Sequence, residues 1–541
     1  MTKRLPSRAI PVAACLVFFL MGIALLPWPG LQNDELFFSG PIYAADAAFY
    51  RLEAGSIRIP LMVMSYTGAL KTWLYAGLLH LIAPNEWSVR VPVLLMGVAT
   101  IWLTWEWTRR IAGARAAGVA ALLLATDTIF LLTDLFDWGP VALQHLLLMA
   151  GLLALQRWIE YGARGMLALA FFLWGLGMWD KALLAWPLIG MAVAVVVVFP
   201  RETLRRVRPG AAAIAVAAFL AGASPLVWYN IARPGETAKQ NANFSAENLG
   251  NKLSVLRQSI DGSALFGYIV YEDTVTGKRE PRGVAERASV GIARLFGNHR
   301  RNWMRGALLL GLLGALFLWR SPVRRVLLFL AVVVLVGWAQ MAATKGAGGG
   351  SHHVVLLWPF PAVFLGIVFS ALAERAPRYG AVALTLTLLF FAGENLLTTN
   401  QYLSMLIVNG GAGGWTDAIY GLTKALDTKS ASWFGVLDWG YLNGVRMLHP
   451  GELQLFLVDV NADEKEIRRQ VSSPDFLFIE HTDDKQMFPG INDRLRQAAA
   501  KVGYVERVER RIPDRNGRPV FELFRFVRAE TPGVAPEGTS R

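Results

Sequence analysis

The chain has 541 residues, of which 54% are hydrophobic and only 17% charged, and its mean hydropathy is +0.39. A soluble chain usually carries about 25% charged residues; here the apolar residues come in blocks of about 18 to 20, the length that crosses a bilayer core, so an ordinary soluble fold is excluded. The net charge of +13 comes without a basic stripe of interleaved aromatics, which excludes nucleic acid as a partner, and a single cysteine, Cys15, excludes an internal disulfide.

Read in chain order, the segments describe a polytopic α-helical membrane protein of about eleven spans, because clusters of Lys and Arg mark cytoplasmic loops. Lys3, Arg4 and Arg8 precede a first helix at about 9–27, with Pro27, Trp28 and Pro29 rather than a small-residue cleavage site after it. This puts the N-terminus in the cytoplasm and "LQNDELFF", with Asp34 and Glu35, on the far side. The first outer loop (28–87) contains "YTGALKTWLYAGLLHLIAP", a short apolar stretch carrying Lys71. If it spanned, the cluster Arg109, Arg110 and Arg115 would lie outside; residues 66–83 therefore read as a juxtamembrane or re-entrant helix on the outer face.

A full span, "SVRVPVLLMGVATIWLTWEWT", then returns to that cluster, and the remaining spans alternate. A helix at 116–133 ends at "TDLFDWGP"; others cover 138–157, 165–178 (exiting at "WDKA"), 182–199 and 211–229, followed by an outer loop at 231–302. The last four lie at 303–319, 326–343, 354–372 (preceded by "TKGAGGGSHH") and 379–396. Residues 1–397 form this membrane unit. From 398 to 541 the composition changes: "ASWFGVLDW", "ELQLFLVDV" and "DFLFIEHT" read as buried strands. "WTDAIYGLTKALDTK", "ADEKEIRRQVSS" and "INDRLRQAAAKVG" read as helices, and "RNGRPVFELFRFVRA" as an Asn-Gly turn and a late strand. The expectation is a small extracytoplasmic α/β domain with a loose tail over the final dozen residues.

The outward ends collect the polar residues that are not cytoplasmic arginines: Asp34, Glu35, Asp46, Arg58, Lys71, Asp134, Asp137, Asp180, Lys181, Lys345, His352 and His353. Ionisable groups at a membrane boundary are expensive and are functional candidates. Asp34 and Glu35, with a second acidic group at Asp134 and Asp137, suit a general base with a charge-positioning partner. Carboxylate oxygens also suit a hard divalent cation, making Asp34 and Asp137 candidate metal ligands. Lys71 reads either as a snorkelling lysine or as a cation for a lipid-linked phosphate. His352 and His353 read either as part of a flexible connector or as phosphate or metal contacts, and Asp180 and Lys181 as a local ion pair.

The order of "NDELFF", "GALKTWLY", "WSVRVPVLLMGVATIWLTWEWTRRIAGARAAGVAALLLATDTIFLL", "FDWGP", "GMWDKALLAWP" and "SHHVVLLWPFP" resembles the GT-C class of integral-membrane glycosyltransferases. Within it, the chain is most similar to bacterial relatives of protein O-mannosyltransferases and of the lipid A aminoarabinose transferase. The resemblance implies transfer of a sugar from a polyprenyl-phosphate carrier to a glycan, lipid or protein acceptor at the outer face of the bacterial inner membrane. It implies that Asp34 is the catalytic carboxylate, with Glu35 beside it. Asp137, with Asp134 as the rival, is the second acidic position, and Lys71 contacts the donor phosphate. Lys345, His352 and His353 are further phosphate candidates, with Arg58 and Lys181 behind them. The chain departs from the class in having Thr-Trp after Lys71 and "DKA" at 180–182. The competing reading is a transporter or lipid flippase, which requires ionisable residues in mid-span and broken helices near the midplane; a third is a scaffold displaying the C-terminal domain.

Overall fold

The computed structural model describes residues 8–241, 243–272, 277–426, 431–449 and 453–529. Lys3 and Arg4 of the basic start and the tail at 530–541 lie outside them. The first four hundred residues are mainly helical. Among the described residues, four helices are long and apolar enough to cross a membrane, or seven if each of three bent pairs is one span; Ala9–Leu25 and Met304–Phe317 are apolar but shorter.

The helix Glu86–Thr126 covers two segments that the sequence separates, but Gly113 breaks it with a left-handed φ of 86° beside the arginine cluster. Glycine has no Cβ to clash there, so the chain redirects where the cytoplasmic turn is expected. Two other expected spans are bent and a third turns sharply at its end: Pro209–Gly222 meets Ser224–Ala232 at 71°, Ser351–Leu357 meets Pro359–Glu374 at 44°, and Ala182–Val198 meets Pro200–Arg206 at 103°. Pro200 and Pro359 open the second helix in two of these pairs, consistent with the missing N–H of proline at a first helical position. The last membrane helix runs Gly380–Asn409, past the expected boundary at 397.

The segment 28–87 is more structured than its sequence suggests. A hairpin, β1 (Tyr50–Ala54) and β2 (Ile57–Met62), turns at Gly55, and the helix Leu70–Leu81 stands where the surface helix was placed. Downstream, a five-stranded mixed sheet is formed by β3 (Trp433–Val436), β4 (Leu455–Leu457), β5 (Phe476–His481), β6 (Tyr504–Pro513) and β7 (Pro519–Arg528). Its order is β4-β3-β5-β7-β6, parallel for β4-β3-β5 and antiparallel for β5-β7-β6. The central strand β5 is buried on both faces, which is why its first four residues, 476–479, are a continuous apolar run rather than an alternation. Helices Glu464–Ser472 and Ile491–Lys501 cover one face through Ile467, Leu495 and Ala499 against Phe478, Phe524 and Phe526.

Candidate active site

The loop after the first helix is built around Arg90. Its guanidinium donates to both carboxylate oxygens of Glu35 (2.7 and 2.8 Å) and to the carbonyls of Leu26 (2.7 Å), Pro29 (2.9 Å) and Gly30 (2.8 Å). All five N–H groups of the fork are used. Glu35, expected among the catalytic carboxylates, is bound on both oxygens by Arg90 and 1% exposed. Gln32 closes the turn, its side-chain oxygen accepting from the backbone N–H of Asp34 (2.6 Å) and of Glu35 (3.1 Å).

Asp34 is thereby held on a constrained turn while its carboxylate forms no ion pair among the described residues. Burial pushes its carboxyl up to about 6, against the lowering effects of the Gln32 side chain, the charge of Lys181 and the Asn33 side chain. Tyr66 and Tyr268 flank it: burial, and after it the charge of Asp34, raises both phenols above their ordinary range.

Backbone pairing brings the second half of the site to the first. Gly68 N–H donates to Asp180 O (3.0 Å), Ala182 N–H donates to Tyr66 O (2.9 Å), and Thr67 bridges Lys181. The chain just before Lys71 is thus zipped to the turn carrying Lys181. Lys71 is buried, donates to Asp137 Oδ2 at 2.7 Å and lies 4.6 Å from the Phe38 ring centroid. Asp137 sits in a left-handed conformation (φ 37°), and its Oδ1 accepts from Val141 N–H (2.5 Å) and Ala142 N–H (3.0 Å) at the start of the helix Ala142–Tyr161. The carboxylate therefore caps that helix and neutralises Lys71 at once. Lys71 does not snorkel to water.

Lys181 is also buried, but the one hydrogen bond of its ammonium among the described residues, to Gly139 O, is long at 3.2 Å. It lies in the turn between two helices, where burial lowers its ammonium to about 8 while Asp137, Asp180 and Asp34 pull the other way. A Cβ on Gly139 would sit 3.0 Å from Lys181 Nζ and 2.9 Å from His352 Cδ2, so this glycine lets the lysine and the histidine approach the same spot. His352 accepts from Trp138 Nε1 at 3.0 Å, and its ring centroid lies 4.2 Å from that of His353.

The structure thus groups Asp34, Lys71, Asp137, Lys181, His352 and His353, and besides Glu35 leaves three expected residues out. Arg58 lies on the hairpin, half exposed, 3.5 Å from Asp46. Lys345 is exposed on its loop, where its backbone N–H donates to Asn243 O. Asp134 is fully buried and faces the bundle, 3.0 Å from His145 Nδ1, while His145 Nε2 meets Val355 O at 2.8 Å. Of the two rival aspartates it is Asp137 that joins the lysine cluster. One residue, Arg90, was missed, and one candidate, Asp180, sits differently from its reading. Arg90 is hidden in an apolar span, its only signal being a lone charge in "SVRVP". Asp180 is fully buried with neither carboxylate oxygen hydrogen-bonded, in electrostatic range of Asp137, Lys71 and Lys181; it was read as the ion-pair partner of Lys181, which it does not contact directly.

The expected metal pair does not fit. Both oxygens of Asp137 are already engaged, one of them by an ammonium group that would repel a cation. Among the described residues the one set of carboxylates with ligand atoms within 4.8 Å of one another is Glu480, Glu506 and Glu522, in the C-terminal sheet.

Residues 68–229 match the family model described as dolichyl-phosphate-mannose-protein mannosyltransferase; that stretch holds Lys71, Asp137 and Lys181 but not Asp34. No curated protein sequence matches the chain. Among solved structures, ArnT from Cupriavidus metallidurans bound to undecaprenyl phosphate is similar with a TM-score of 0.58 at 14% identity, over 95% of this chain and 97% of that one. Its apo state gives 0.55 over the same shares, also at 14% identity. The Archaeoglobus fulgidus oligosaccharyltransferase in complex with zinc and sulfate gives 0.51 at 13% identity, over 87% and 68%. The chain has the fold of the GT-C integral-membrane glycosyltransferases.

Proposed function

We propose that this protein transfers a sugar from a polyprenyl-phosphate carrier to an acceptor hydroxyl at the outer face of the bacterial inner membrane, with Asp34 as the base. The observation that supports this most is the contrast between adjacent carboxylates. Glu35 is bound on both oxygens to Arg90, whereas Asp34 is half-buried, has no ion pair among the described residues and is raised to about 6, next to the field of Lys181. A base with its pKa near the working pH combines the right protonation state with proton affinity.

The donor's tail stays in lipid and its sugar lies at headgroup level, where the outward helix ends put this cluster. The acceptor hydroxyl gives its proton to Asp34, and its oxygen attacks the anomeric carbon. The bond from that carbon to the phosphate oxygen breaks, and polyprenyl phosphate leaves with the electron pair. Displacement in one step inverts the anomeric configuration. The leaving phosphate needs charge stabilisation more than a proton. Lys181, with N–H groups to spare and His352 beside it, suits that task better than Lys71, which is committed to Asp137. The C-terminal domain lies on the same outer side, and the N-terminus in the cytoplasm.

The test is purified protein in detergent with a panel of labelled polyprenyl-phosphate sugars and hydroxyl acceptors. Consumption of one donor with acceptor labelling supports the reading; a complete panel left intact contradicts it.

A further inference from the structure

We infer that the C-terminal domain is a positioning part of the active site, clamping the loop that carries Asp34. This rests on the reading of Asp34 as the base. Three points along that loop touch chain beyond residue 410. Trp28 O accepts from Arg515 Nη2 at 2.9 Å, and Pro27 O from the same nitrogen at 3.4 Å. Gly30 N–H donates to Trp415 O at 2.7 Å. Asn33 Oδ1 accepts from Asn443 N–H at 3.2 Å, while Asn443 Nδ2 donates to Asn33 O at 3.4 Å. Asn33 is the residue next to Asp34.

The contacts are close and specific. A Cβ on Gly30 would collide with the backbone of Thr416, so only glycine allows this approach. Arg515 is itself held by Asp417, and its guanidinium lies 5.2 Å from the Trp28 ring, with Arg279 from the outer loop 5.3 Å from that ring. The turn that presents Arg515 is braced. Asp514 Oδ1 accepts from the N–H groups of Asn516 (2.9 Å) and Arg518 (3.0 Å), and Asn516 Nδ2 donates to Val408 O (2.8 Å) near the end of the last membrane helix. The Asn-Gly turn between β6 and β7 is thus a plug seated on the membrane unit.

Arg90 fixes the loop from within the membrane unit, and Arg515, Trp415 and Asn443 fix it from the C-terminal unit. Asp34 has no ion pair among the described residues, and the Gln32 and Asn33 side chains that bond its carboxyl belong to the same clamped turn, so the carboxylate goes where that turn puts it. Arg515, Asn33 and Asn443 are positioning residues, not catalytic ones. A misplacement of about 1 Å at a reacting group costs roughly a hundredfold in rate.

The experiment uses full-length protein in detergent and follows hydrogen–deuterium exchange across residues 27–36 together with donor kinetics. Arg515→Ala and Asn33→Ala should both speed exchange in 27–36. Both should lower kcat by about tenfold to a hundredfold with donor KM within about twofold, and Arg515→Lys, which keeps an N–H donor, should recover most of the loss. Asn33→Ala removes the acceptor for Asn443 N–H together with the amide that hydrogen-bonds the Asp34 carboxyl, so its exchange in 27–36 serves where Arg515→Ala misfolds. Unchanged exchange in 27–36 overturns the clamp, whatever happens to transfer; so does faster exchange with unchanged kcat. Faster exchange in a protein whose parent consumes no donor keeps the loop contact, overturns its catalytic meaning, and removes the functional reading with it.

Discussion

Glu35 and Arg90 meet through two hydrogen bonds of 2.7 and 2.8 Å, with side chains 1% and 0% exposed. They are the inner anchor of the loop that presents Asp34. Removing one member of such a pair strands a buried charge, at a cost of about 3–5 kcal/mol. Arg90→Ala and Glu35→Ala are therefore expected to lower the apparent melting temperature in detergent sharply. Arg90→Lys should rescue little, because one ammonium cannot replace the five-donor fork. Near-parental melting of Glu35→Ala would contradict the anchoring role.

A second buried pair behaves differently. Asp137 both neutralises Lys71 and caps the helix Ala142–Tyr161. Asp137→Asn keeps an oxygen for the two backbone N–H groups but leaves the Lys71 charge unmatched. The double variant Lys71→Met/Asp137→Asn is expected to be more stable than Asp137→Asn alone, by about 1–3 kcal/mol of coupling. Thermal unfolding of the full cycle measures this; additive losses would refute the pairing.

Much of this was legible beforehand. The apolar blocks and arginine clusters located the helices, and the β-rich runs after 430 located β3, β4, β5 and β7, because burial on one or both faces leaves a hydrophobic signature. β6 was missed since "YVERVERRIP" is an edge strand with mostly exposed charged side chains. The hairpin at 50–62 was missed for a similar reason. Asp34, Lys71 and Asp137 could be found as charges at outward helix ends, but their partners could not: hydrogen bonds across 55 and 66 residues are set by packing, which no local pattern encodes. That is why Glu35 looked like a catalytic partner, and why Lys181 was placed behind Lys71.

Gly139 offers a substitution aimed at the site alone. Gly139→Ala puts a methyl group 3.0 Å from Lys181 Nζ and 2.9 Å from His352 Cδ2, so what it displaces is side chain of the site rather than backbone. Melting should stay near parental while transfer falls by roughly tenfold, read as a lower kcat/KM. A drop in melting temperature with unchanged transfer would show that Gly139 serves packing instead.

The pH profile follows from two groups. Asp34 is raised to about 6, so it is protonated and unable to act as a base below that pH. Lys181 is lowered to about 8, so it loses its charge above that pH. Transfer is expected to rise through pH 6, hold to about 8 and then fall. Lys181→Arg, whose guanidinium stays charged, should remove the alkaline fall. A profile flat between pH 5 and 9 would contradict both assignments.

The central claim is that the carboxylate of Asp34 takes the acceptor's proton. Its most direct test is the transfer rate of Asp34→Asn beside the parent, under saturating donor and with donor binding measured separately. The account predicts a kcat lower by about a hundredfold to ten-thousandfold with donor affinity retained. Transfer at the parental rate would show that the base lies elsewhere.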